Sequence, residues 1–112
     1  MRLLYRDARR ETGSLLSGLD WRCAGRDIIT IEGLPSDGKP HPIQLQMVNR
    51  GGIQCGYCTP GIIMSAYALL RENLSPTEEE IKLAISGNIC RCTGYNKIVE
   101  AVQAAAADLR GS

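Results

Sequence analysis

With 112 residues and a formal net charge of +1, the chain has room for one modest domain and shows no excess of basic charge that would predict a nucleic-acid surface. Four Tyr, one Trp and no Phe leave the core to Leu, Ile, Val and Ala, a composition that suits packed helices. The sequence lacks an apolar run of the roughly 18 residues that a membrane span needs, and its start lacks the pattern of a secretory signal, so we expect a cytoplasmic protein.

The N-terminal part of the sequence predicts little regular structure. Residues 1–26 contain apolar side chains without a clean period, and we leave this segment unassigned. The stretch from Asp27 to Ile31 is β-branched and bounded by Gly25 and Gly33, which predicts a short strand. The turn-rich stretch "PSDGKPHP" follows, so residues 27–40 are interpreted as a strand and a linker.

Residues 41–112 are expected to form one helical domain. Apolar spacing and helix-start signals predict four helices, at about 42–50, 60–73, 76–87 and 95–109. Thr59 and Ser75 are the predicted N-caps of the second and third helices, and Glu78 would complete a capping box with Ser75. His41, placed between two prolines at the entry to the first helix, is expected to be structural rather than a metal ligand.

The spacing of apolar residues predicts one buried face on each helix. These faces comprise Ile43, Met47 and Val48; Ile62, Ile63, Ala66, Leu69 and Leu70; Ile81, Ala84 and Ile85; and Ile98, Val99, Val102, Ala106 and Leu109.

The order helix, cysteine pair, helix occurs twice, which indicates an internal duplication. The predicted fold class is mainly α: a small four-helix bundle of two helical hairpins with pseudo-two-fold symmetry, plus a short N-terminal strand remnant. The interval of 34 residues from Cys58 to Cys92 resembles a tetratricopeptide period, but the cysteine loops and the missing Trp, Gly and Tyr pattern argue against that repeat.

Four of the five cysteines form two short-range pairs, Cys55-x-x-Cys58 and Cys90-x-Cys92. Such spacings let two thiolates converge on one metal centre, and the hairpin duplication would deliver the second pair to the same end of the bundle. Each pair lies just ahead of a predicted helix, where free N–H groups and the helix dipole stabilise an anion. An iron–sulfur cluster held by four thiolates is such an anion.

Three other interpretations stay open on spacing alone. A structural zinc also accepts four thiolates, although paired C-x-x-C knuckles are more typical of it. The stretch "CGYC" before a helix is typical of a thioredoxin-like dithiol, but the strand that should precede it is missing. Buried cysteines without a ligand are the third possibility.

The stretches "QCGYCTPGIIMSAYALL" and "SGNICRCTGYNKIVEAV" resemble the helical [2Fe–2S] domain of the iron–sulfur subunit of molybdenum hydroxylases. That family includes xanthine dehydrogenase, aldehyde oxidoreductase and the small subunit of bacterial carbon monoxide dehydrogenase. The resemblance runs from about Asp27 to Ala107.

The resemblance implies one [2Fe–2S] cluster held by Cys55, Cys58, Cys90 and Cys92, with Gln54 and Cys92 against a pterin. The implied function is electron relay from a molybdopterin site, as a subunit of an oxidoreductase that is not catalytic alone. Molybdopterin and FAD are expected only in partners, a molybdopterin-binding large subunit and an FAD-binding medium subunit. Tyr57 and Tyr95 are expected to pack at the cluster loops, with contact to the large subunit as the other possibility.

The sequence departs from that family at its N-terminal side. Family small subunits carry a ferredoxin domain with the signature C-x4-C-x2-C, which is absent here, and Cys23 is the only cysteine before Cys55. The segment "RDIITIEGL" resembles the last strand of that domain, left without its sheet. We therefore expect a truncated or rearranged small subunit. The alternative is a non-functional or structural remnant that binds zinc at the same four cysteines.

Overall fold

A computed structural model describes residues 3–6, 11–14 and 28–111. Its helices are α1 (Pro42–Asn49), α2 (Thr59–Glu72), α3 (Glu78–Ile85) and α4 (Asn96–Gly111). The predicted mainly α fold with four packed helices is confirmed. In the described parts of the chain, no helix combines the length and apolarity needed to cross a bilayer. Of the unassigned segment 1–26, residues 1–2, 7–10 and 15–26, with Cys23, lie outside the described residues.

The two helical hairpins pack side by side around one apolar core. Helix α1 lies mainly against α4, and α2 lies against α3. The buried apolar side chains are Leu34, Ile43, Met47, Ile62, Ile63, Met64, Ala66, Ala68, Leu70, Ile81, Ile85, Ile98, Val99, Ala101, Val102, Ala105 and Ala106. The core is aliphatic throughout and carries no aromatic ring among these residues, as the composition indicates.

The predicted buried faces are largely confirmed, with one clear error. Val48 is 65% exposed, because the short helix α1 turns only its Ile43 and Met47 face toward the core. Leu69, Ala84 and Leu109 lie at the edges of their predicted faces and are half-buried. The three-and-four spacing therefore located the centre of each face better than its margins.

Two of the predicted helix starts need correction. Helix α2 begins at Thr59 itself, so Cys58 is the N-cap and the Thr59 hydroxyl does not cap the helix. The capping box of α3 is formed by Thr77 and Glu80, two residues later than predicted. The reason is local: the Ser75 N–H donates to the side chain of Asn73 at 2.8 Å, which keeps this segment in a turn.

His41 has the structural role that the sequence predicts, because it caps α1. Its Nδ1 accepts a hydrogen bond from the N–H of Ile43 at 3.3 Å, and its own N–H donates to Gln44 at 2.9 Å. The imidazole ring also meets the Tyr67 ring edge-on at 5.2 Å. Burial lowers the pKa of His41 from its ordinary value of 6.5, because the charged form loses hydration.

The His41 cap predicts a pH-dependent stability. Only the neutral ring can accept from Ile43, and the folded state disfavours protonation, so the free energy of unfolding should be highest above pH 6.5 and fall as the pH drops below it. Urea unfolding at about pH 7.5 and about pH 5.5 measures the loss. His41→Asn is the control, because Asn caps helices without titrating in this range. An identical pH dependence in both proteins would contradict the prediction.

A small antiparallel sheet accompanies the helices. Its strands are β1 (Leu3–Arg6), β2 (Glu11–Ser14) and β3 (Ile28–Ile29), in the order β2-β1-β3. Strands β1 and β2 lie against α2. The short strand predicted in this region is therefore present, but it pairs with β1 instead of lacking a sheet, which corrects that expectation. It is also shorter than predicted, because Ile31–Gly33 forms a 3-10 helix.

Candidate metal centre

The first cysteine pair lies in the loop between α1 and α2. Cys55 is exposed, whereas Cys58 is half-buried at the N-cap of α2. Between them, Gly56 has a φ of 84°, a left-handed conformation that side-chain-bearing residues rarely adopt. The carbonyl of Cys58 already accepts from Ile62 in the first turn of α2 at 3.0 Å. One thiol is thereby fixed to a helix end while the other projects into solvent.

The second pair lies in the loop between α3 and α4, which is held by the Tyr95 hydroxyl. Tyr95 has a φ of 71°, an uncommon conformation for a residue with a side chain. Its hydroxyl accepts from the Cys90 N–H at 2.8 Å and donates to the Asn88 carbonyl at 3.2 Å. These two hydrogen bonds offset the backbone cost and fix the start of the loop. The prediction that Tyr95 packs at this loop is confirmed.

The same loop is tied to the neighbouring hairpin. The side-chain amide of Asn88 donates to the Ser65 hydroxyl of α2 at 2.9 Å. Ser65 is 7% exposed and is the buried polar side chain of the described core. A buried polar group needs such a partner, so this contact specifies where the second loop sits on the bundle.

All four paired thiols meet where the two loops approach each other. The acidity of each thiol depends on a thiol of the other loop: Cys55 and Cys92 affect each other, and so do Cys58 and Cys90. Each of these cross-loop pairs joins one cysteine of the first loop to one of the second. The sequence placed both pairs at one end of the bundle, and the structure adds that they meet as two cross-loop pairs.

The half-buried thiols differ strongly in acidity. The pKa of Cys90 is lowered from 9.0 to about 7, first because the Thr93 hydroxyl hydrogen-bonds its sulfur. Burial is the main cause that raises the pKa of Cys58 from 9.0 to about 11. The site therefore holds one thiol that ionises near neutral pH beside one that resists ionisation without a cation.

The exposed pair is also unequal. A backbone N–H of Tyr57 is the main cause that lowers the pKa of Cys55, and the hydrogen bond with Cys55 is the main cause that raises the pKa of Cys92. Thiolates rather than thiols bind metals, and in each pair one thiol has a lowered pKa, Cys55 in one pair and Cys90 in the other.

The chemistry of this donor set fits a centre with four thiolate ligands. All four cysteines are free thiols, and they are clustered. As the side chains stand, no group of three or more His, Cys, Asp or Glu among the described residues could hold a metal ion. That all four cysteines act as ligands stays a prediction, and His41 lies away from them as the cap of α1.

The thiols are surrounded by an exposed rim. Tyr57 is 84% exposed and Ile89 is 85% exposed, and Gln54 and Arg91 are exposed beside them. The expectation that Tyr57 packs at its own loop is therefore wrong, because its ring faces solvent. Contact of Gln54 and Cys92 with a pterin stays a prediction.

Thr93 is a residue at the site that sequence reasoning missed. Its hydroxyl lies 3.0 Å from the Cys90 sulfur, and its N–H donates to the same sulfur at 3.4 Å. The available signal was the repeated Cys-Thr step, since Thr59 follows Cys58 as Thr93 follows Cys92. The sequence prediction used only Thr59, as a helix cap, and anticipated no contact of Thr93 with sulfur.

The chain is similar to known iron–sulfur proteins over most of its length. Residues 30–103 match the family model of the [2Fe-2S] binding domain. The nicotinate dehydrogenase small FeS subunit of Eubacterium barkeri is 58% identical over 76 residues, which cover 68% of this chain and 48% of that subunit. The nicotine 6-hydroxylase small subunit of Paenarthrobacter nicotinovorans is 55% identical over 78 residues, covering 70% and 47%. The chain thus spans about half the length of these two relatives.

Solved structures show the same fold. Aldehyde oxidoreductase from Desulfovibrio gigas superposes with a TM-score of 0.84 at 36% identity, covering 97% of this chain and 12% of that one. Quinoline 2-oxidoreductase from Pseudomonas putida 86 superposes with a TM-score of 0.74 at 36% identity, covering 81% of this chain and 57% of that one.

Proposed function

The chain belongs to the [2Fe–2S]-binding domains of molybdenum hydroxylase iron–sulfur subunits, and from this premise we propose that it relays single electrons from a molybdopterin site. The observation that carries the proposal is the meeting of four thiols as two cross-loop pairs. When bound there, a [2Fe–2S] cluster supplies one-electron transfer without a change in covalent structure of the protein.

The four clustered cysteines are the proposed ligands. Cys55 and Cys58 would be supplied by the first loop, and Cys90 and Cys92 by the second. A single zinc ion instead requires all four sulfurs around one point. The match of residues 30–103 to a [2Fe-2S] binding domain supports iron–sulfur over zinc.

The residues around the thiols support a protein partner at this end of the bundle. Tyr57 and Ile89 are among the most exposed large apolar side chains described. Tyr57 lies between the two cysteines of the first pair, and Ile89 directly precedes the second pair. Apolar side chains grouped in this way are typical of interaction surfaces. We propose that a molybdopterin-binding large subunit covers this rim, with Gln54 and Cys92 toward the pterin, and that an FAD-binding subunit accepts the electron further on.

The proposal covers one cluster. Within these 112 residues, Cys23 is the only cysteine outside the two pairs, and it cannot hold a second cluster by itself. The relatives named above are small subunits of enzymes that act on nicotinate and nicotine. We propose this chain as an electron relay and not as a catalyst by itself. The substrate of a complex containing it would be determined by the large subunit, which would hold the molybdopterin site.

The proposed function is tested by metal content and electron uptake. Protein reconstituted anaerobically with iron and sulfide should contain two irons and two sulfides per chain and be red-brown. Titration with dithionite should consume one electron per chain and produce an S = 1/2 EPR signal that disappears on reoxidation. The control is the same protein loaded with zinc, which accepts no electron.

Colourless protein that holds one zinc per chain and refuses iron would defeat the proposal. That outcome would favour the alternative of a structural remnant that binds zinc at the same cysteines. Iron uptake without reversible one-electron reduction would also contradict a relay function.

A further inference from the structure

Cys90 differs from the other three clustered cysteines in the hydrogen bonds that its sulfur receives. The Thr93 hydroxyl lies 3.0 Å from this sulfur, and the Thr93 N–H donates to it at 3.4 Å. Among the described residues, no other of these cysteines has a side-chain hydroxyl against its sulfur. The two cross-loop pairs are therefore not equivalent.

Metal ligation would determine which atom donates, since either the Thr93 hydroxyl or the Cys90 thiol can donate in the metal-free protein. The N–H of Tyr95 donates to the Thr93 hydroxyl oxygen at 3.2 Å, so this oxygen already acts as an acceptor. A metal-bound sulfur carries no proton and can only accept. In the metal-loaded protein the Thr93 hydroxyl must therefore point its hydrogen at Cys90.

The contact is held in place by the second loop. The Tyr95 hydroxyl accepts from the Cys90 N–H at 2.8 Å and donates to Asn88 at 3.2 Å, and Asn88 reaches Ser65 of α2 at 2.9 Å. Each of these groups has a partner on both sides. Thr93 thus keeps its orientation without having to reorganise when charge is added at the sulfur.

Thr59 provides an internal comparison. It follows the second cysteine of the first pair as Thr93 follows the second cysteine of the other. Its hydroxyl oxygen is buried and has no hydrogen-bond partner among the described residues. The duplicated Cys-Thr step therefore delivers a donor to sulfur in one half of the site and not in the other.

Building on the function proposed above, we propose that Thr93 is a positioning residue that raises the reduction potential of the cluster through Cys90. A hydrogen bond to a ligating sulfur withdraws electron density from it, which stabilises the form with the additional negative charge. The same contact would favour the iron that Cys90 holds as the location of the added electron.

The test compares three matched variants by redox titration monitored with EPR. Thr93→Val replaces the hydroxyl with a methyl group of similar shape and should lower the equilibrium constant for one-electron reduction roughly tenfold, about 59 mV. Thr93→Ser keeps the hydroxyl and should titrate like the wild type. Thr59→Val makes the same change at the unpartnered hydroxyl and should leave the potential unchanged.

A second readout locates the electron. Mössbauer spectra of the reduced, iron-57-enriched protein should show distinct ferric and ferrous sites, and Thr93→Val should alter the ferrous parameters while Thr59→Val does not. Thr93→Ala, which removes the hydroxyl without adding a methyl in its place, serves if the valine variant does not assemble a cluster.

Equal potentials in the wild type and in the Thr93→Val and Thr93→Ala proteins would overturn this role of Thr93. So would a shift in Thr93→Ser as large as that in Thr93→Val, because the hydroxyl would then not be the cause. Failure of the proposed electron relay can be told apart from failure of the Thr93 proposal, because the wild-type protein would then form no EPR-active cluster at all.

Discussion

Cys90→Ala is expected to remove the metal centre and much of the stability together. Cys90 is clustered with Cys58 of the first loop, and its sulfur also receives the Thr93 hydrogen bonds. Metal that binds only the folded state adds its binding energy to folding, about 2.7 kcal/mol at 100 times Kd. For a domain of this size, losing that amount should lower Tm by about 10–20 °C relative to the loaded wild type.

Iron and sulfide analysis and thermal melts followed by circular dichroism measure both effects in the same samples. We expect the iron content of Cys90→Ala to fall at least about tenfold. Removing a group that only hydrogen-bonds to a metal ligand already lowers metal affinity by about that factor. Cys23→Ala is the control, because it removes the one cysteine outside the two pairs. An unchanged Tm in a cluster-free Cys90→Ala protein would show that the helices are stable without the metal.

Ile98→Ala should destabilise the bundle whether or not metal is bound. Ile98 is 0% exposed and lies in the first turns of α4, on the face that packs against the other helices. Truncating a buried Ile to Ala costs about 2–5 kcal/mol, because apolar contacts are lost and a cavity remains. A fall in Tm of about 10 °C or more is expected in both the metal-free and the loaded protein.

Ile89→Ala is the matched control, since it removes the same atoms from a side chain that is 85% exposed. Its effect on stability should stay within about 0.5 kcal/mol. A loss of stability in Ile89→Ala as large as in Ile98→Ala would contradict the packing described for the core.

The helices and the centre of the core follow from local sequence patterns. Ile43 and Met47 are buried as the helical spacing predicts, and Pro42 is the first residue of α1. The predicted burial of the neighbouring Val48 is wrong, because the width of a buried face depends on how many partners pack around the helix. Apolar spacing contains the period of a helix and says little about those partners.

The cap of α3 shows where local rules compete. Ser75 and Glu78 have the spacing of a capping box, and so do Thr77 and Glu80. The second pair is used because Asn73 holds the N–H of Ser75 in a turn ahead of the helix. Two valid signals two residues apart cannot be ranked without that side-chain contact.

The sequence predicts which cysteines form the candidate site, but it does not predict the contacts between them. The spacing of Cys55, Cys58, Cys90 and Cys92 marks a thiol centre, and the structure clusters those four residues. The cross-loop pairing and the Thr93 contact depend on how two hairpins meet. Both are tertiary features that join residues through the packing of α2 against the second loop, and no local pattern contains them.

The cross-loop pairing also orders events during synthesis. Cys58 and Cys92 are 34 residues apart, an interval that a ribosome translating about 5–20 residues per second completes in a few seconds. During that interval the emerging polypeptide offers only one sulfur of each pair, Cys55 of one and Cys58 of the other. Iron delivered at that stage would meet only half of the proposed ligands. If the four cysteines hold the cluster as proposed, its insertion can be completed only after the second loop has been made and has docked.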